Sequence, residues 1–143
     1  MKIRLVKSPG AEAAAFVDKF YAENGGLAKA RPGDLFFLAY SDQEILGSVR
    51  YCVEEGTPML RSMMVHRDWR GQGLGQQLLE EFAAYLDIES IRKVYCLPFA
   101  HLEAFYAKAG FVRAHHDEVP KFLQTRMIEY NTKPKKVICM RRD

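Results

Sequence analysis

Apolar positions change period several times along this chain, and each change marks an element. Residues 2–6 alternate polar and apolar, which predicts a short strand. Ser8 and Pro9 follow in the order of an N-cap and a first helical position. Ala14, Phe16, Val17, Phe20 and Tyr21 then recur at helical spacing, so a helix is expected over 11–22, ended by Asn24-Gly25-Gly26. Another short helical turn is expected over 27–31, before Pro32-Gly33 breaks it. Three apolar runs, 34–40, 45–53 and 59–65, are joined by the turns 41–44 and 54–58. Turns this short predict antiparallel pairing.

Beyond residue 73 the period lengthens. Leu74, Leu78, Phe82 and Leu86 recur on one helical face and Leu79 and Ala83 widen it, which predicts a helix over 73–87. The apolar run 94–97 reads as a buried strand, and a helical connection makes it parallel to 59–65. A helix over 100–109 is stopped by Gly110, a strand follows over 111–114, then a helix over 119–130 with Pro120 in its first turn, and a strand over 136–141. The sum is an α/β chain with a central, mostly antiparallel mixed sheet and helices on both faces. No linker or repeat divides it, so residues 1–143 are expected to form a single domain.

Composition narrows the class. At 48% hydrophobic and 27% charged, the chain has globular rather than disordered usage. Cys52, Cys96 and Cys139 fall in expected strands, are odd in number and lack metal-ligand spacing, so they read as buried reduced thiols suited to a cytoplasmic setting. No metal site is expected from them. The N-terminus carries charges where a signal peptide needs an apolar run, and no stretch is long enough to span a membrane. Net charge is only +3, and Lys133, Lys135, Lys136, Arg141 and Arg142 are expected to form a solvated face rather than a nucleic-acid surface.

The chemistry concentrates in Arg70-Gly71-Gln72-Gly73-Leu74-Gly75, between an expected strand and an expected helix. Glycines let the backbone approach a ligand closely, and the free N–H groups and dipole of a helix N-terminus favour an anion. Gln76 and Gln77 stand where a P-loop needs lysine and a hydroxyl, and the glycine spacing is not that of the dinucleotide fold. Strand-to-helix turning alone would also use Gly71 and Gly73.

Arg70, Gly73 and Gly75 match the Gln/Arg-x-x-Gly-x-Gly/Ala loop of the GNAT superfamily of N-acyltransferases, which the chain resembles. Downstream, Tyr106-Ala107-Lys108-Ala109-Gly110-Phe111 is similar to that family's Tyr-x-x-x-Gly-Phe segment. The resemblance covers about residues 2–113. It implies acetyl-CoA as cosubstrate, a V-shaped splay between the two parallel strands, and pantetheine pairing with the backbone of Met63, Met64 and Val65. An N–H near Met64 would serve as an oxyanion donor. Arg70 and the N–H groups of Gly71, Gln72, Gly73 and Gly75 would hold the pyrophosphate. Tyr106 would be the general acid beside the sulfur, or else a packed helix residue. The family's usual Asn or Gln seven residues before that tyrosine is absent here, replaced by Phe99 after Pro98.

Other residues are read from their own chemistry. Glu54 and Glu55 follow the second hairpin strand and could reach an acceptor, directly or through water, with Glu54 the candidate base; a solvated turn is the expected role of at least one of them. Arg50 and Arg61 could bind an acidic group or face solvent. The run His115-His116-Asp117-Glu118 reads as a polar acceptor-site rim. His101 is expected to cap a helix or face solvent, and Trp69 to anchor packing. The resulting expectation is acetyl transfer to a primary amine of a small molecule or protein, by direct transfer. The alternative is a non-catalytic acyl-CoA-sensing or partner-binding module on the same scaffold. A homodimer is expected on general grounds.

Overall fold

The computed structural model describes residues 3–26, 29–42 and 44–143. The order is β1 (Arg4–Pro9), α1 (Gly10–Glu23), β2 (Leu35–Ser41), β3 (Glu44–Glu54), β4 (Thr57–Val65), α2 (Leu74–Ile88), β5 (Val94–Cys96), α3 (Glu103–Ala107), β6 (Val112–Arg113), α4 (Lys121–Tyr130) and β7 (Met140–Arg142). Seven strands form one sheet in the order β1-β2-β3-β4-β5-β7-β6. All neighbouring pairs are antiparallel except β4 and β5, which are parallel, as their helical connection requires.

Helices cover both faces. Leu74, Leu78, Leu79, Phe82 and Leu86 of α2 pack with Phe37, Val49, Leu60, Val94 and Tyr106 in the largest core. On the other face Val17, Phe20 and Tyr21 of α1 meet Phe36 and Leu38, while Leu123 of α4 meets Cys52, Met59, Tyr95 and Cys139. Burying these side chains, each contributing roughly 1.5–3 kcal/mol, is the main force holding helices to sheet.

Several sequence expectations change. Ser8 and Pro9 belong to β1, where Ser8 lies opposite Phe36, so pairing across the sheet replaces the expected serine cap; α1 starts at Gly10 with no side-chain cap. Phe16 is 65% exposed, because the buried stripe of α1 runs through Ala13, Val17, Phe20 and Tyr21. Leu27 and Ala28, part of the expected turn over 27–31, lie outside the described residues, and residues 29–31 are not helical. The expected helix over 100–109 splits into a 3-10 turn (Ala100–Leu102) and α3. The last strand is short; Val137 bridges Phe99 by itself, and Cys139 is buried just before β7 rather than within it.

One irregularity positions the site. The β3–β4 register shifts between Ser48 and Arg50, and Ser62 on β4 has φ +58°. An extra residue in one strand reverses which side chains face which side. Leu60 packs toward α2, and beyond the bulge Met63 and Val65 do so, while Met64 packs toward α1. Tyr21 on α1 hydrogen-bonds both Ser48 Oγ, at 3.1 Å, and the Ser62 carbonyl. A carbonyl can only accept, so the phenol proton goes to Ser62 and the Ser48 hydroxyl donates to the phenol.

Candidate active site

β4 and β5 are paired at Met59 opposite Tyr95. β5 ends at Cys96, and Leu97-Pro98 turns away toward the chain before β7, where Ile138 N–H donates to the Pro98 carbonyl at 3.0 Å. The two parallel strands therefore splay, leaving the β5 side of residues 61–65 without a neighbouring strand among the described residues. This is the V-shaped opening that the family resemblance implied.

The opening has two arms. The larger, about 700 Å³, is lined by Met63, Phe99, Leu102 and Val137, with Lys133 and Lys135 at its edge. The smaller, about 140 Å³, is lined by Met59, Arg61, Cys96 and Arg126. Ser62, Leu97, Pro98, Tyr106 and Tyr130 belong to both, so the arms meet at Tyr106. Tyr106 is buried on α3, with Phe105 and Phe111 edge-on to its ring at 5.0 and 6.2 Å. Burial pushes its phenol above the ordinary tyrosine value, so the phenol stays protonated through the physiological range.

Beyond the end of β4 lies the glycine loop. A 3-10 turn (Arg67–Trp69) is capped by His66 Nδ1, which accepts from Asp68 N–H at 3.1 Å. Gly71 and Gly73 then take left-handed φ of +78° and +81°, with open space where side chains would stand. Gly73 is the N-cap of α2, which begins at Leu74. No described backbone group accepts from the N–H groups of residues 71–75, so they form an unpartnered cluster at a helix N-terminus. Arg70 curls back, its Nε donating to the Val65 carbonyl at 3.1 Å. The donor cluster, open approach and nearby guanidinium fit a diphosphate.

At the opposite end of β4, Glu54 is buried among arginines. Its Oε1 accepts from Arg61 Nη1 at 2.6 Å, Arg31 Nη2 lies 3.5 Å away, and Arg126 Nη1 meets Oε2 at 2.6 Å but out of line for a hydrogen bond. Desolvation raises its pKa, but the Arg61 and Arg126 guanidiniums outweigh that and hold the carboxyl at about 2. A carboxylate so weakly basic is ill suited to take an ammonium proton, and it stands behind Arg61 and Arg126 rather than in the cleft wall. Arg50 is buried against Asp34 at 3.1 Å, so neither Arg50 nor Arg61 simply faces solvent.

Remaining candidates are placed as follows. Met63 lines the larger arm; Met64 and Val65 continue β4 toward the glycine loop. His101 stacks on Phe99 with ring centroids 5.9 Å apart, and Lys135 lies over the same ring. The run 115–118 closes a 3-10 turn in which His115 N–H donates to Glu118 Oε1 at 3.1 Å. The C-terminal basic residues are not a uniform solvated face: Arg142 pairs with Asp87 and donates to the Ala109 carbonyl, and Arg141 pairs with Asp143 and Glu118. Sequence reasoning missed Arg126, Tyr130 and the Ser62 bulge. A serine interrupting the apolar run 59–65 was the one local signal of the bulge; Arg126 and Tyr130 gave none, being ordinary polar positions of an amphipathic helix.

Solved structures share the fold. Escherichia coli ElaA is 18% identical, with a TM-score of 0.73 over 99% of this chain and 100% of that one. An acyl-CoA N-acyltransferase from Pseudomonas aeruginosa is 19% identical, with a TM-score of 0.71 over 99% and 100%. N-acetylglutamate synthase from Neisseria gonorrhoeae, solved with coenzyme A and N-acetyl-glutamate, is 16% identical, with a TM-score of 0.69 over 99% of this chain and 35% of that one. No curated protein matches this sequence significantly. The family model of the acetyltransferase (GNAT) domain matches residues 32–113, the span from β2 through the splayed strands, glycine loop and Tyr106 to β6. With more than half its length in that match, this chain belongs to the GNAT acetyltransferase family and is an N-acyltransferase.

Proposed function

We propose that the protein moves an acetyl group from acetyl-CoA to a primary amine by direct transfer. The observation that carries this reading is the two-armed cleft meeting at Tyr106, with unpartnered N–H groups beyond the end of its β4 wall. Bound acetyl-CoA would supply an activated thioester. The N–H groups of Gly71, Gln72, Gly73 and Gly75, with Arg70, hold its pyrophosphate, and the unpaired β5 side of Met63, Met64 and Val65 receives the pantetheine. The acceptor nitrogen forms a C–N bond to the acetyl carbon as the C–S bond breaks; nitrogen loses one proton and sulfur gains one. Tyr106 holds the proton that the sulfur needs, and a β4 N–H near Met64 faces the charge that develops on the carbonyl oxygen.

Direct transfer is supported by the state of the cysteines. Cys96 lines the smaller arm, but burial holds its thiol well above the ordinary value. Cys52 and Cys139 are each pushed up by burial to about 11. Thiols so fully protonated at neutral pH are poor nucleophiles. The neutral amine has a source too: with the acceptor in the smaller arm, the Arg61 and Arg126 guanidiniums lower the pKa of its ammonium. Glu54 then orients Arg61 and Arg126, and water in the open cleft carries the proton away.

Calorimetry with acetyl-CoA, followed by a thiol-release screen across primary amines, tests this. Uptake of the cosubstrate and release of thiol with one amine class is the expected result. A folded protein that takes up no acetyl-CoA would remove the reading. Uptake without thiol release against any amine would make the chain an acyl-CoA-sensing module instead.

A further inference from the structure

Arg50 and Arg61 stand directly opposite each other in the β3–β4 ladder, on the face covered by α1 and α4. Like charges so placed repel. Arg31 and Arg126 converge on the same region, so among the described residues four guanidiniums surround two carboxylates, Asp34 and Glu54. Asp34 serves Arg50 and Arg31; Glu54 serves Arg31, Arg61 and Arg126. The cluster is left two positive charges in excess. Its imbalance is not spread evenly. Asp34 Oδ2 engages Arg50, which also donates to the Lys29 carbonyl at 3.0 Å, and neither lines the cleft. Arg61 and Arg126 do line the smaller arm, each about a quarter exposed, and they share one carboxylate behind them. Arg61 Nη2 is turned to the Tyr130 hydroxyl at 3.3 Å, a neutral partner that adds nothing to the negative charge Glu54 supplies to Nη1.

A protein gains nothing in stability from gathering half-buried cations beyond the anions that pair with them, because each carries a desolvation cost. The excess is explained when a ligand brings the missing negative charge. Guanidinium is the side-chain group best matched to a carboxylate, through paired N–H donors in a plane. We propose that the acceptor amine carries a carboxylate, as an amino acid does, and that Arg61 and Arg126 bind it in the smaller arm so that the amine faces Tyr106. The inference rests on the acetyl-transfer reading and supplies its substrate class. It also accounts for Glu54: the carboxylate fixes the two guanidiniums in place without neutralising both.

The full chain, loaded with coenzyme A, is titrated calorimetrically with N-acetylglycine and N-acetylglycinamide, then with N-acetylaspartate and N-acetylasparagine. The first pair reports an α-carboxylate, the second a side-chain carboxylate. In one pair or both, the more acidic member is expected to bind about tenfold or more tightly, the scale of hydrogen bonds to a charged group. Arg126→Gln should abolish the preference while leaving coenzyme A affinity and amide affinity unchanged, and Arg126→Lys should restore part of it. Arg61→Gln provides the same readout if Arg126→Gln fails to fold. Equal binding of acid and amide in both pairs, or a preference that survives both Gln variants, would overturn the proposal while leaving acetyl transfer intact. Failure to load coenzyme A would instead strike the acetyl-transfer reading itself.

Discussion

Tyr106 and Glu54 have similar burial and opposite electrostatic fates. The tyrosine ring is packed between Phe105 and Phe111, so burial raises its pKa and keeps its proton; the glutamate has three guanidiniums, so its proton is driven off. For Tyr106→Phe we expect kcat to fall about 100-fold, within the range of a lost general acid, with KM for acetyl-CoA near wild type. Steady-state thiol release measures both, and full turnover with an unchanged pH profile would remove the acid role. Glu54 makes a stability prediction. Its folded pKa of about 2 lies below its ordinary 4.5, so its contribution is present above pH 4.5 and is lost as pH falls toward 2. Glu54→Gln should therefore destabilise the protein by about 2–4 kcal/mol at pH 7, since it leaves guanidiniums uncompensated. The same change should flatten the acid limb of a urea-denaturation series between those pH values.

At the scale of elements, the strand β4 and the helix α2 place the site together, and the loop between them turns the backbone by left-handed glycines. Gly73→Ala, at φ +81°, should cost about 1–2 kcal/mol because a Cβ crowds the carbonyl in that conformation. Gly75 is different. It sits in the first turn of α2, and a Cβ there would make ordinary contacts of 3.5 Å with Phe105 and Val65. Gly75→Ala should instead stabilise the protein by up to about 1 kcal/mol, the helix preference for alanine. Urea denaturation of the two variants should move the midpoint in opposite directions. Gly75 is thus not needed by the fold, whereas Gly73 is. The Ser62 bulge works at the same scale: it turns Met63 to the α2 side, and α1 holds it there through Tyr21.

For the whole molecule, cosubstrate binding should be linked to stability. Acetyl-CoA at about 100 times its Kd adds about 2.7 kcal/mol to the folded state, which for a chain of this size raises Tm by roughly 5–10 °C. Thermal scans with and without acetyl-CoA check this, and an unmoved Tm at saturating ligand would contradict the proposed cradle. Among the described residues, no helix is long and apolar enough to cross a membrane.

The order of elements, the parallel turn of β5 and the glycine loop were legible in sequence because each rests on local rules: side-chain period, short turns, and glycine where φ is positive. Leu74 to Leu86 needed only their own spacing to declare a helix. Motif spacing singled out Tyr106 and Arg70, which the fold places in the cleft and beside the glycine loop. What the linear chain did not show depends on residues far apart in it. Ser8 looked like a cap until β2 offered it a strand partner. Glu54 looked like a base until Arg61, seven residues on, and Arg126, from a helix more than seventy residues away, closed on its carboxylate. Local backbone preference is set by neighbours in the chain, but the charge state of a buried group is set by whatever the fold brings within a few ångströms, and only the tertiary structure decides that.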